Sequence, residues 1–94
     1  MRIAARTDAN QAQLVDELRA LPGVSVQHLH TAGKGCPDLL IGHCGRNWLL
    51  EIKNPSKPPS ARLLSPAQCT WHINWTGQAA VVTTMDEIRQ VLGL

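Results

Sequence analysis

The sequence has no apolar run long enough to cross a bilayer, and nothing after Met1 reads as a signal peptide. A cytoplasmic protein is therefore the expectation. Cysteine is too scarce for a disulfide framework: Cys36, Cys44 and Cys69 cannot all pair within the chain, and their reduced form fits a reducing compartment. Cys69 and His72 have a spacing used in some metal sites, but no second close-spaced pair follows, which argues against structural zinc. There is no internal repeat and no low-complexity tract. Nor is there length for a second domain: the 94 residues, 1–94, read as one small domain with a modest core. A core that small makes oligomerisation a reasonable expectation.

Charge is also in short supply overall, with a formal net value of +2, but it is unevenly placed. Between Lys34 and Arg62 the cations are Lys34, Arg46, Lys53, Lys57 and Arg62, against only Asp38 and Glu51. The rest of the chain is slightly acidic. A polyanion such as nucleic acid would dock where that basic excess lies.

What the sequence does have is a pair of short apolar runs with ionisable residues at one end. These are Cys36-Pro37-Asp38-Leu39-Leu40-Ile41-Gly42 and Trp48-Leu49-Leu50-Glu51-Ile52-Lys53. If His43-Cys44-Gly45-Arg46 is the turn of a hairpin, symmetric pairing sets Gly42 opposite Asn47, Leu40 opposite Leu49 and Asp38 opposite Glu51. Directly opposed residues have Cβ atoms about 4.5–5.5 Å apart, a separation at which two carboxylates repel unless a cation lies between them. Alternation puts Lys53 on the same face as Glu51, while Ile52 points away and leaves its backbone carbonyl near the carboxylates. Asp38, Glu51 and the Ile52 carbonyl are hard oxygen ligands suited to Mg²⁺ or Mn²⁺.

Along the chain, Thr7 or Asp8 is expected to cap a first helix running to about Leu21, with Ala12, Leu14, Val15, Leu18 and Leu21 at helical spacing and Pro22-Gly23 ending it. Residues 24–30 alternate and read as a strand, with His28 and His30 on one face. Thr31-Ala32-Gly33-Lys34-Gly35 is a turn that either contacts phosphate or merely joins two strands. The two hairpin strands are apolar on both faces, so helical cover is expected on both. Residues 54–62 hold three prolines and two cations and read as a semi-rigid rim. Ser65-Pro66 opens a second helix, with Gln68 placed for a capping box, and Trp71 and Trp75 lie one turn apart on it. A strand at 79–83 and a final helix capped by Thr84 follow. The order is α-β-β-β-α-β-α, an α/β domain with a mixed sheet flanked by helices.

Pro37-Asp38 followed by Glu51-Ile52-Lys53 resembles the PD-(D/E)xK nuclease motif. Gly35-Cys36-Pro37-Asp38-Leu39-Leu40 and Leu64-Ser65-Pro66-Ala67-Gln68 sharpen it. Together they resemble the virus-type replication-repair nuclease (VRR-NUC) domains, especially stand-alone phage forms, over nearly the whole chain. The resemblance implies a restriction-endonuclease-like fold. It also implies a Mg²⁺- or Mn²⁺-dependent endonuclease acting on DNA, chiefly branched DNA such as four-way junctions, as a homodimer in DNA repair or recombination. Asp38, Glu51 and Lys53 would be catalytic, and the resemblance places Gln68 near them. It also implies a further acidic ligand on the first helix, for which Asp8 is the acidic candidate, reading equally as a capping residue, while Gln11 could replace that carboxylate and bind the metal through water. Glu17 reads as a solvated residue. Lys34, Arg46, Lys57 and Arg62 are the candidate phosphate contacts. The alternatives are a nicking or general structure-specific nuclease, and a nucleic-acid-binding module that keeps the fold without the chemistry.

Overall fold

Cys44 and Gly45 both take positive φ, 52° and 76°, which is the backbone of a two-residue type I′ turn. That turn sets the register of everything beside it. In the computed structural model, which describes residues 8–94, it joins strand β2 (Leu39–His43) to strand β3 (Arg46–Ile52). Gly42 pairs with Asn47 and Leu40 with Leu49, as the symmetric hairpin requires. Strand β1 (Val24–His28) adds antiparallel to β2, and strand β4 (Ala79–Val82) adds parallel to β3, so the sheet order is β1-β2-β3-β4. The protein is an α/β fold with a four-stranded mixed sheet and the element order α-β-β-β-α-β-α.

The core occupies one face of that sheet. Leu39 and Ile41 of β2, Trp48, Leu50 and Ile52 of β3, and Val82 of β4 pack there against Leu14, Val15 and Leu18 of helix α1 (Gln11–Arg19) and Ile88 and Leu92 of helix α3 (Met85–Leu92). The second face lacks the full helical cover expected for it. Helix α2 (Pro66–Asn74) buries no residue, and Val81, Ile73 and Trp75 stay exposed. Its apolar residues form two narrow rows on nearly opposite sides, Ala67 with Trp71 and Cys69 with Ile73, so the helix has no single broad apolar face to bury. Trp71 and Trp75 stack on each other instead, with ring centroids 4.8 Å apart.

Several details differ from the sequence expectation. Helix α1 starts at Gln11 with Asn10 in the capping position, so Asp8 is not its cap; Thr7 lies outside the described residues. The Asp8 carboxylate is occupied by Lys57 at 2.8 Å, and only its backbone carbonyl accepts from the Gln11 N–H. Strand β1 ends at His28, short of His30, where the two imidazoles meet edge to face. Pro59–Arg62 winds into a single 3₁₀ turn within the proline-rich rim. Among the described residues no helix is long and apolar enough to cross a membrane.

Candidate active site at the open end of the hairpin

One step beyond the last paired residues, Leu39 and Leu50, Asp38 comes opposite Glu51. Pro37 is fully buried before it, and the Asp38 carbonyl accepts from the Leu29 N–H at 2.7 Å, so the backbone is fixed on both sides. Its carboxylate accepts from the Ile52 N–H at 2.8 Å, which fastens the side chain across the strand. Glu51 alternates with Leu50 and Ile52 and so leaves the core face, yet only 3% of it is exposed. The Lys53 ammonium lies 3.7 Å from Glu51 Oε2.

Gln68 closes the group. Its Nε2 donates to Glu51 Oε2 at 3.0 Å, and its Oε1 accepts from Lys53 Nζ at 3.1 Å. The same Oε1 accepts from the Ser65 N–H at 2.9 Å, while the Gln68 N–H donates to Ser65 Oγ. The capping box and the contact with the site are therefore one arrangement in one conformation, and the start of α2 is tied directly to the acid and the ammonium.

Burial dominates the electrostatics. It pushes the Glu51 carboxyl up to about 8, helped by the neighbouring Asp38 carboxylate and opposed by Lys53. Asp38 is also raised, chiefly by burial, with the Ile52 N–H pulling the other way and Asp8 adding repulsion. The Cys36 thiol is pushed up by burial and by both carboxylates, which keeps it from acting as a thiolate nucleophile. A buried glutamate beside a half-buried aspartate, both resisting ionisation, makes a site poised for a cation or a proton.

Asp8, Asp38, Glu51, Ile52, Lys53, Lys57 and Gln68 line one cleft of about 650 Å³, with Ala9 and Ala61 completing its wall. Of the two candidates for an additional ligand, Asp8 faces this cleft. Gln11 is not among its lining residues; it is buried on α1, with Oε1 unpartnered. Lys57 is at the rim, and Arg62 sits at the end of the neighbouring 3₁₀ turn. Arg46 is at the other end of β3, about 16 Å of strand away, and so is not part of the cleft. Lys34 is exposed on its loop and does not line the cleft, nor do His28 and His30; Glu17 is solvated. Asn10 was not singled out in the sequence. Its Nδ2 donates to the carbonyls of Lys53 and Thr83, both at 3.2 Å, clamping the ends of β3 and β4 beside the site. The only signal was an Asn just before an apolar stripe, and that signal reads as a helix cap.

The chain's own atoms fit a hard divalent cation. Glu51 Oε1 is buried without a hydrogen-bond partner and Asp38 stands opposite it. Among the described residues no three His, Cys, Asp or Glu side chains come together as a metal site. Mg²⁺, which keeps several waters and takes one or two carboxylates, does not require a third.

No protein-family model, curated protein or solved structure matches the chain. The functional reading of this site accordingly rests on its geometry and on the motif resemblance.

Proposed function

We propose that this protein is a metal-dependent endonuclease that hydrolyses phosphodiester bonds in DNA, selective for branched substrates, and a member of the VRR-NUC group. The observation that carries the reading is the convergence of Asp38, Glu51 and Lys53, with Gln68 bonded to two of them, in an open cleft. Asp38 and Glu51 would hold Mg²⁺ or Mn²⁺, with the Ile52 carbonyl and Asp8 as further oxygen donors. When bound, such an ion polarises the phosphate and lowers the pKa of water, so that hydroxide is available near neutral pH.

The protein's own groups do the rest. Lys53, aimed by Gln68, offsets charge that develops on the phosphate oxygens and orients the attacking water. Burial of the Glu51 side chain strengthens its own interactions with Lys53 and Gln68. Lys57 and Arg62 touch backbone phosphates at the rim. Two copies related by a two-fold axis would present two sites to a junction, as paired incisions require. The absence of a third acidic ligand grouped with Asp38 and Glu51 among the described residues favours one second reading, a DNA-binding module without catalysis.

The test is cleavage of end-labelled four-way junction, flap, duplex and single-stranded DNA in Mg²⁺ and Mn²⁺. Paired cuts in the junction, lost in Asp38→Ala, Glu51→Ala and Lys53→Ala, are expected. Binding without cleavage in either metal would establish the non-catalytic module instead, and near wild-type turnover in Glu51→Ala would remove the mechanism.

A further inference from the structure

Lys57 and Asp8 form an ion pair across the cleft, Nζ to Oδ1 at 2.8 Å, between groups 49 residues apart in the chain. The partners are mounted differently. The backbone at Lys57 is held by its N–H to the Asn54 carbonyl, by the Ser56 N–H to Asn54 Oδ1, and by the prolines on either side. Its side chain is nearly half exposed, so the ammonium can swing while its base stays put. The Asp8 side chain is only 15% exposed and stays in the cleft wall.

Charge accounting in the cleft gives this pair a consequence. The lining holds three carboxylates, Asp8, Asp38 and Glu51, and two ammonium groups, Lys53 and Lys57. With Lys57 on Asp8, one carboxylate is spoken for. A phosphate at the rim competes for the more exposed ammonium. If Lys57 moves to it, the cleft is left with an uncompensated carboxylate beside two others, an excess that a divalent cation neutralises.

We propose that Lys57 couples polyanion binding to cation binding: it exchanges Asp8 for a backbone phosphate, and the released Asp8 carboxylate becomes an additional ligand for the divalent ion. The inference rests on the metal-dependent reading above and adds to it that the full ligand set assembles only with substrate in place. By linkage, the metal must tighten DNA binding by the same factor that DNA tightens metal binding.

The experiment uses Ca²⁺ as the probe ion, an oxygen-seeking divalent cation. Its affinity for the protein alone is measured by calorimetry, and DNA affinity by fluorescence anisotropy with and without Ca²⁺. Wild type, Lys57→Met, Asp8→Asn and the double variant are compared. In wild type, Ca²⁺ is expected to tighten DNA binding about ten-fold. In Lys57→Met, Ca²⁺ should bind the protein alone several-fold more tightly, and the coupling should shrink toward one. Loss of any cation raises cation affinity somewhat, so the cycle decides the cause: in the Asp8→Asn background, Lys57→Met should change Ca²⁺ affinity little. An equal effect of Lys57→Met in both backgrounds overturns the exchange, as does unchanged coupling in Lys57→Met. A wild-type protein that binds no Ca²⁺, with or without DNA, overturns the metal-dependent reading and the exchange with it.

Discussion

At the scale of single residues, Glu51 is where fold and chemistry pull against each other. Its carboxyl is buried among the strands, keeps one oxygen without a partner, and titrates near 8 instead of near the ordinary carboxylate value of 4.5. Between those two pH values the folded protein holds a proton that the unfolded chain has already released. Stability must then fall as pH rises through that window, and the raised Asp38 acts in the same direction. In the presence of a chelator, the Tm of the metal-free protein is expected to drop from pH 5 to pH 8. Glu51→Gln, which keeps the shape and removes the charge, should flatten the decline. Adding Mg²⁺ should raise the wild-type Tm more at pH 8 than at pH 5, because a cation replaces the proton there. Thermal melts of both proteins across this range decide the matter; if Glu51→Gln tracks wild type throughout, Glu51 is not the titrating group.

At the scale of elements, the site depends on how closely helix α2 can approach the loop before β2. Gly35 has φ +79°, and a Cβ there would stand 2.8 Å from the Gln68 backbone N and closer still to the Ala67 carbonyl. Gly33 has nearly the same φ, +74°, but open space around it, so the pair separates backbone strain from contact. Gly33→Ala is expected to cost about 1 kcal/mol and leave cleavage unaffected. Gly35→Ala should cost more and also lower kcat, because the first turn of α2 must shift and carries Gln68 away from Glu51 and Lys53. Equal losses in Tm and kcat for the two variants would rule out that seat. The contrast shows which elements were readable from sequence. The hairpin register was legible because a two-residue turn leaves one symmetric pairing, and the start of α2 because Ser65-Pro66 and Gln68 are a local signal. The start of α1 was not, because its capping chemistry is diverted to distant partners: Asp8 to Lys57, and Asn10 to Lys53 and Thr83. Gly35 looked like a loop glycine suited to contact phosphate, whereas its close neighbour is a helix 32 residues further along the chain.

At the scale of the whole molecule, the sheet divides the work between its faces. The core, with α1 and α3, takes one face, and the two acids, Gln68 and the sparse cover of α2 take the other. Placing the acids away from the apolar core lets both of them line the cleft. The cations are divided in the other direction, along the strands. Arg62 ends the 3₁₀ turn next to Ala61 in the cleft wall, and its Nε is buried without a partner, whereas Arg46 is exposed beside the I′ turn at the far end of the hairpin. Both add one positive charge to the same small protein, so net charge alone predicts the same effect for removing either. Position predicts otherwise. A cation that neutralises a phosphate releases a counterion, contributing about 0.9 to the slope of log K against log salt concentration for duplex DNA. Arg62→Ala should weaken junction binding and reduce that slope by roughly one contact, while Arg46→Ala, about 16 Å of strand from the acids, should leave the slope unchanged and binding nearly so. Anisotropy titrations over a salt series, with catalysis silenced by Lys53→Ala in every protein, read both quantities. Equal slopes for Arg62→Ala and the Lys53→Ala parent would place the DNA elsewhere, and a reduced slope in Arg46→Ala would extend its path along the hairpin.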